Sequence, residues 1–392
     1  MEKKDVLRYG IIGFGNMGST HAANLFKGKV PHAELAAICD TNADQLARAK
    51  ALYPDIKLYG TDEEIINDKD IDAIVVAVPH YEHPPLAISA LAHDKHVLIE
   101  KPAGVYTKQV LEMNEAAKKS NKRFGIMYNM RVNPVFQKVR ELISSGQLGE
   151  LKRVTWIITT WYRPQAYHDS ATWRSTWKTE GGGTLINQNP HQLDLWQWLF
   201  GMPDTIHSFC EFGKYYNIEV EDEVVAYLKY NSGLTGVYIT STGETPGTNR
   251  LEIACDRGQL IVENNKKITF LRNEIPEREW NATPHDNPFA MPPRWTCDIP
   301  VDTTRDEAHV GIFKNFTRAA LTGSDLLAPG EEGILGLTIS NAIHYSAWTG
   351  KTVDVNNFPH DEFYDLLQDK IKHSTVQKKE VQKVVNLDDS WS

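Results

Sequence analysis

The stretch Leu7-Arg8-Tyr9-Gly10-Ile11-Ile12-Gly13-Phe14-Gly15-Asn16-Met17-Gly18 decides the fold. Its first half is a short apolar run of the length of a buried strand. Its second half spaces three glycines as G-x-G-x-x-G at the point where a helical pattern begins. There Gly13 permits a tight turn, Gly15 lets the backbone approach a pyrophosphate, and Gly18 lets helix and strand pack closely. The helix start offers unpaired N–H groups and a positive dipole end to phosphates. Asp40 ends the next apolar run roughly 20 residues on, where a carboxylate can hold both ribose hydroxyls and repel a 2′-phosphate. Thr41 and Asn42 add no cation. NAD is therefore the expected cofactor, held by Gly13, Phe14, Gly15, Asn16, Met17, Gly18 and Asp40.

Outward from this loop, apolar runs at 7–12, 34–39, 73–78, 96–99 and 123–128 alternate with helical patterns at 16–26, 43–52, 85–92 and 108–119. Thr61 and Glu64 have capping-box spacing for a further short helix. Strand and helix in alternation predict βαβ units and a doubly wound parallel sheet, a Rossmann domain over 1–128. Beyond it the pattern changes. A helix is expected over 133–145, ending at Gly146, followed by an alternating strand over 151–162. Strand-like runs from 205 to 272 are joined by Asn231-Ser232-Gly233, Asp256-Arg257-Gly258 and Asn264-Asn265, the residues of hairpin turns. This makes 129–356 a second α/β domain with a large, open, mostly antiparallel sheet. Residues 275–300 read as a long ordered loop, and helices are expected over 306–321 and 331–348. A helical extension and polar tail occupy 357–392.

At 392 residues, two domains are the natural expectation. The net charge of −9 argues against nucleic acid or an anionic membrane as the main partner. No apolar run approaches the roughly 20 residues that span a bilayer, and the N-terminus carries no signal-peptide pattern, so a cytoplasmic protein is expected. Cys39, Cys210, Cys255 and Cys297 form no CxxC pair and read as reduced thiols.

The segments Val75-Val76-Ala77-Val78-Pro79-His80-Tyr81-Glu82-His83 and His96-Val97-Leu98-Ile99-Glu100-Lys101-Pro102 resemble the glucose–fructose oxidoreductase / inositol dehydrogenase / rhizopine catabolism (Gfo/Idh/MocA) family. So do Gly181-Gly182-Gly183 with His191 and Asp194 beyond, and the helix from Gly330-Glu331-Glu332-Gly333 to Ala347. The resemblance implies that Lys101 and His191 face the nicotinamide and substrate, with a cis bond before Pro102. It also implies Pro79, His83, Glu100, Asn129, Trp173 and Arg174 beside the cofactor, and Arg131 beside cofactor and substrate. Oxidising a secondary alcohol requires hydride removal and a base for the hydroxyl proton, roles that suit His191 and Lys101. Many members carry Asp where this chain has Asn187. Asn187 can hydrogen-bond a hydroxyl but is not a carboxylate, which leaves proton transfer to Lys101 and His191 alone. His80 and His83 look like a metal pair, but no cluster completes a site, and no metal is expected.

Trp161, Tyr162 and Arg163, at the end of the first strand of the second domain, combine aromatic faces with a donor and are assigned to the substrate pocket. The expected activity is an NAD-dependent dehydrogenase of a sugar, glycoside or cyclitol hydroxyl. The alternatives are a redox-neutral glycoside-processing enzyme with tightly bound NAD and a non-catalytic sugar or nucleotide sensor. Strands 224–228 and 234–239 carry apolar residues on both faces, so a homodimer or homotetramer through the second sheet is expected.

Overall fold

The computed structural model describes residues 5–376. The polar end expected beyond 377 lies outside them. The first sheet has six parallel strands: β1 (Leu7–Ile12), β2 (Ala33–Cys39), β3 (Lys57–Tyr59), β4 (Ala73–Val76), β5 (His96–Ile99) and β6 (Phe124–Ile126). Their order is β3-β2-β1-β4-β5-β6, so the chain reverses direction across the sheet at β1 and β4, where α/β folds place their ligands. Every residue of β4 is buried, as a sheet covered by helices on both faces requires. The helices Asn16–Phe26, Ala43–Leu52, His83–Ala92 and Thr107–Lys119 fall within two residues of the expected spans. Thr61 and Glu64 form the capping box ahead of the helix Asp62–Asn67. The strand β3 escaped the apolar-run reading because it is three residues long and opens on the exposed Lys57.

The second sheet has nine strands. They are β7 (Leu151–Ile158), β8 (Thr205–Phe212), β9 (Glu221–Lys229), β10 (Thr235–Ser241), β11 (Asn249–Cys255), β12 (Gly258–Glu263), β13 (Lys267–Asn273), β14 (Arg294–Ile299) and β15 (Val353–Asp354). The order is β14-β13-β12-β11-β7-β10-β9-β8-β15, and only the β7–β10 pair is parallel. Asn264 and Asn265 have φ of 51° and 54°, left-handed conformations that turn the chain between the paired Glu263 and Lys267. The expected loop over 275–300 is corrected: it holds a short helix, Glu277–Ala282, and the edge strand β14 paired with β13. Arg294, Trp295 and Thr296 are all exposed, so this edge lacks the alternation by which a half-buried strand is recognised.

One face of the second sheet carries the helices Pro190–Phe200 and Gly333–Thr349. Ser208 on β8 donates its hydroxyl to the Ile343 carbonyl at 2.7 Å, fixing that contact. On the opposite face Phe209, Val225, Ile239 and Ile157 stand in register across β8, β9, β10 and β7. Phe209 is 70% exposed, Val225 40% and Tyr227 44%. The helix His360–Lys372 folds back on the Rossmann side, where Lys108 meets Asp361 at 2.8 Å. Among the described residues, no helix is long and apolar enough to cross a membrane.

Candidate active site

The glycine loop fits a dinucleotide. A Cβ at Gly13 would lie 2.3 Å from the Ala77 carbonyl oxygen, and one at Gly18 1.8 Å from that of Gly13, so both positions require glycine. Nothing stands within 4 Å of a Cβ at Gly15, which is exposed and leaves room for a pyrophosphate. The helix Asn16–Phe26 starts with no side-chain cap, so its first N–H groups, those of Asn16 and Met17 among them, are available to phosphate. Asp40 accepts from the Phe14 N–H at 2.7 Å and the Asn42 N–H at 2.8 Å, which fixes its carboxylate at the end of β2 while leaving acceptor sites open. The backbone of Phe14 is used internally: its N–H goes to Asp40 and its carbonyl accepts from Arg48 at 2.8 Å. Arg48, whose guanidinium also covers the Phe14 ring, is a cation beside the loop that spacing alone did not reveal.

At the C-terminal end of β5 the Lys101–Pro102 bond is cis. Lys101 donates from Nζ to the Asn187 carbonyl at 2.8 Å, which brings the Rossmann domain and the segment after the glycine run together. Burial pushes the Lys101 ammonium below its ordinary pKa, against the opposing pull of Glu100 and Glu180. His191 lies near the start of the helix Pro190–Phe200, buried, with Nδ1 unpartnered. Burial, helped by the Lys101 charge, holds its pKa well below 6.5, so the imidazole is neutral at pH 7. Asn129 is likewise buried with its Oδ1 unpartnered. Pro79 is exposed at the end of the loop after β4.

Three residues expected beside the cofactor or substrate have their polar atoms engaged within the protein, Arg131 first among them. Its Nε and one terminal nitrogen clamp Asp194 at 2.8 and 2.6 Å, and the other terminal nitrogen meets the Leu327 carbonyl at 3.0 Å and Glu332 at 2.6 Å. Both ring nitrogens of His83 are engaged by the backbone, Nδ1 with the Pro102 carbonyl at 2.7 Å and Nε2 with that of Val78 at 2.8 Å. Glu100 points inward to His21 at 2.6 Å and accepts from the Lys101 N–H at 3.1 Å. Burial alone would raise the Glu100 carboxyl, but the His21 hydrogen bond with nearby His309 and Lys101 outweighs it and holds the pKa at about 2. His83 and Glu100 thus brace the segment that presents Lys101. His80 turns Nδ1 onto the Glu180 carbonyl at 2.9 Å, and Trp173 packs edge-on against the His80 ring.

Around Lys101 the second domain contributes Arg163 and Arg174, both stacked on the ring of Tyr167. Arg163 also covers Trp161, and Tyr162 beside them is exposed. The Tyr167 hydroxyl receives Arg174 at 2.6 Å, Gln188 at 3.2 Å and Asn187 Nδ2 at 3.3 Å. Glu180, which immediately precedes the glycine run, is buried and accepts from Asn187 Nδ2 and the Ser175 N–H. Sequence reasoning missed Tyr167 and Glu180. Lys101 and His191 are not without a carboxylate nearby, because Glu180 stands against Asn187. Among the described residues, no three His, Cys, Asp or Glu side chains are grouped to hold a metal.

Comparison with known proteins agrees with this architecture. Residues 7–128 match the oxidoreductase family with an NAD-binding Rossmann fold, and residues 136–261 match the GFO/IDH/MocA C-terminal domain. The chain is 33% identical over 202 residues to the uncharacterized oxidoreductase YdgJ of Escherichia coli, 51% of this chain and 55% of that protein. It is 27% identical over 273 residues to the myo-inositol 2-dehydrogenase of Thermotoga maritima, 68% of this chain and 78% of that protein. The WlbA dehydrogenase of Bordetella pertussis, solved with NADH and UDP-GlcNAcA, superposes with a TM-score of 0.77 at 26% identity, covering 90% of this chain and 99% of that one. With the glycine loop, the Lys101 segment and the paired sheets in place, the chain belongs to the Gfo/Idh/MocA family of NAD-binding oxidoreductases.

Proposed function

We propose that this protein oxidises a secondary hydroxyl carbon of a sugar, glycoside or cyclitol, with Lys101 and His191 meeting the reacting oxygen. The observation that carries this reading is the buried, neutral His191 ring, its Nδ1 unpartnered, within electrostatic reach of the half-buried Lys101. Bound NAD supplies the hydride acceptor. Lys101 hydrogen-bonds the hydroxyl oxygen and stabilises the charge that grows there as the proton leaves for the His191 imidazole. Asn187 and Asn129 offer amide groups to neighbouring hydroxyls, and Trp161, Tyr162 and Arg163 close the outer wall. The similarity to a myo-inositol 2-dehydrogenase and to a dehydrogenase solved with a sugar nucleotide supports a polyhydroxylated ring as substrate.

NAD is preferred to NADP in this reading, because Asp40 faces the ribose end and Arg48 is committed to the Phe14 carbonyl. The open face of the second sheet pairs with a second copy of the chain, covering the Phe209–Val225 row.

A panel of sugars, inositols and glycosides, followed by NADH absorbance, identifies the substrate. With that substrate, Lys101→Ala and His191→Ala each lower kcat by about 10²–10⁴-fold while NADH affinity holds. Near wild-type turnover in either variant would refute the assignment.

A further inference from the structure

The Lys101 pocket contains a carboxylate to which neither the glycine motif nor the proposed chemistry gives a role. Glu180 is 2% exposed, and among the described residues it has no ion pair within salt-bridge distance. One carboxylate oxygen accepts from the Ser175 N–H and the other from Asn187 Nδ2. A carboxylate offers an acceptor oxygen to each of these two donors, where a glutamine offers one oxygen and an NH2 group, so Glu180 joins Ser175 to Asn187 at the desolvation cost of a buried acid. What the charge faces is informative. Asn187, on which Glu180 rests, is also the residue whose carbonyl receives Lys101 Nζ at 2.8 Å. Because Nδ2 is turned to Glu180, Oδ1 of the amide is left as an acceptor that takes no hydrogen bond from the described residues.

We propose that Glu180 is the positioning carboxylate of the reacting centre, standing in for an acid at position 187: it turns Asn187 Oδ1 toward the substrate hydroxyl and sets the proton affinity of Lys101. This rests on the reading that Lys101 meets the reacting oxygen. The other charged and titratable groups around the pair are Arg174, Arg163, Tyr167, Glu100 and Glu221, with the imidazoles of His80, His83, His191 and His309. Burial pushes the Glu180 carboxyl up to about 7, with Arg174 opposing. Its charge therefore changes across the neutral range, and the pull on Lys101 changes with it.

The test reads Lys101 directly, without a substrate. In NADH-saturated protein carrying lysine labelled with 13C at Cε, the Lys101 resonance is assigned by its loss in Lys101→Arg and followed against pH. Glu180→Gln removes the charge at matched size and keeps one acceptor oxygen of the two, so the Lys101 midpoint should fall by about one pH unit, the lower end of what a neighbouring charge produces. Glu180→Gln/Asn187→Asp moves the carboxylate to the other side of the same contact and should return the midpoint most of the way. The wild-type resonance should also bend near neutrality as Glu180 titrates, a measurement that needs no variant to fold. An unchanged midpoint in Glu180→Gln, a double variant that stays low, or a wild-type curve with no second inflection would each overturn the proposal. If Lys101 responds as expected but Lys101→Ala retains turnover, the catalytic reading fails and the electrostatic coupling stands. If Lys101→Ala is inactive and the midpoint ignores Glu180, only the present proposal fails.

Discussion

Arg131→Met separates a structural clamp from a substrate contact. The side chains of Arg131 and Asp194 are each 1% exposed, and the guanidinium grips the carboxylate through two nitrogens at 2.6 and 2.8 Å. Gln197 adds a third donor to Asp194 at 2.9 Å. Methionine fills much of the arginine stem but leaves Asp194 with Gln197 as its remaining side-chain donor. Breaking one side of a buried pair of this kind costs about 3–5 kcal/mol, because the surviving charge stays in the interior. At about 2–4 °C per kcal/mol for a chain unit of this size, Tm should fall by roughly 10 °C. The loss should also depend on pH, with a definite sign. Burial already raises the Asp194 carboxyl above its ordinary pKa, with Arg131 opposing, and removing Arg131 raises it further. A carboxyl with a raised folded pKa destabilises the protein above its unfolded pKa and relaxes as it protonates, so the deficit of the variant should shrink as the pH is lowered toward that range.

Urea unfolding of wild type and variant at matched m-values, at neutral and mildly acidic pH, measures both effects. Arg131→Met/Asp194→Leu should recover much of the loss, since an apolar pair of similar volume replaces a buried ion pair at little net cost. A variant less than about 1 kcal/mol destabilised, with a raised KM for the substrate, would refute this account and return Arg131 to the binding site.

Asp40→Ser should weaken NADH binding by about tenfold or more, since each hydrogen bond to a charged group contributes about 1.5–3 kcal/mol, and should narrow the gap to NADPH in a fluorescence titration. Gly18→Ala forces a methyl group to within 1.8 Å of the Gly13 carbonyl oxygen, so stability should fall by about 1–3 kcal/mol, with NADH affinity falling as well, read as Tm and a binding isotherm. Val225→Asp places a charge in the apolar row of the open sheet face, and light scattering should report dissociation toward monomer with the far-UV circular dichroism unchanged.

What could be read from the sequence is what neighbouring residues determine among themselves. Gly13 and Gly18 are required by backbone atoms of the same strand–turn–helix unit, and the Thr61–Glu64 box closes over one turn. Such features survive as spacing, and with them the Rossmann sheet and the cofactor end were legible. The Arg131 clamp was not legible because its partners are remote: Asp194 lies 63 positions on, and the Leu327 carbonyl 196. Nothing in the local pattern distinguishes an arginine aimed at a ligand from one sealed in an ion pair. The contacts of His83 with Pro102 and of Glu100 with His21 were hidden in the same way. Position 187 is the sharpest case. Judged alone, asparagine there removes a carboxylate from the reacting centre, but Glu180 restores one from seven positions earlier through a side-chain contact. A motif records which residue types occupy fixed positions, whereas the chemistry depends on which charges and donors converge in space. The same convergence can therefore be reached with the carboxylate moved to a neighbour that no spacing rule includes.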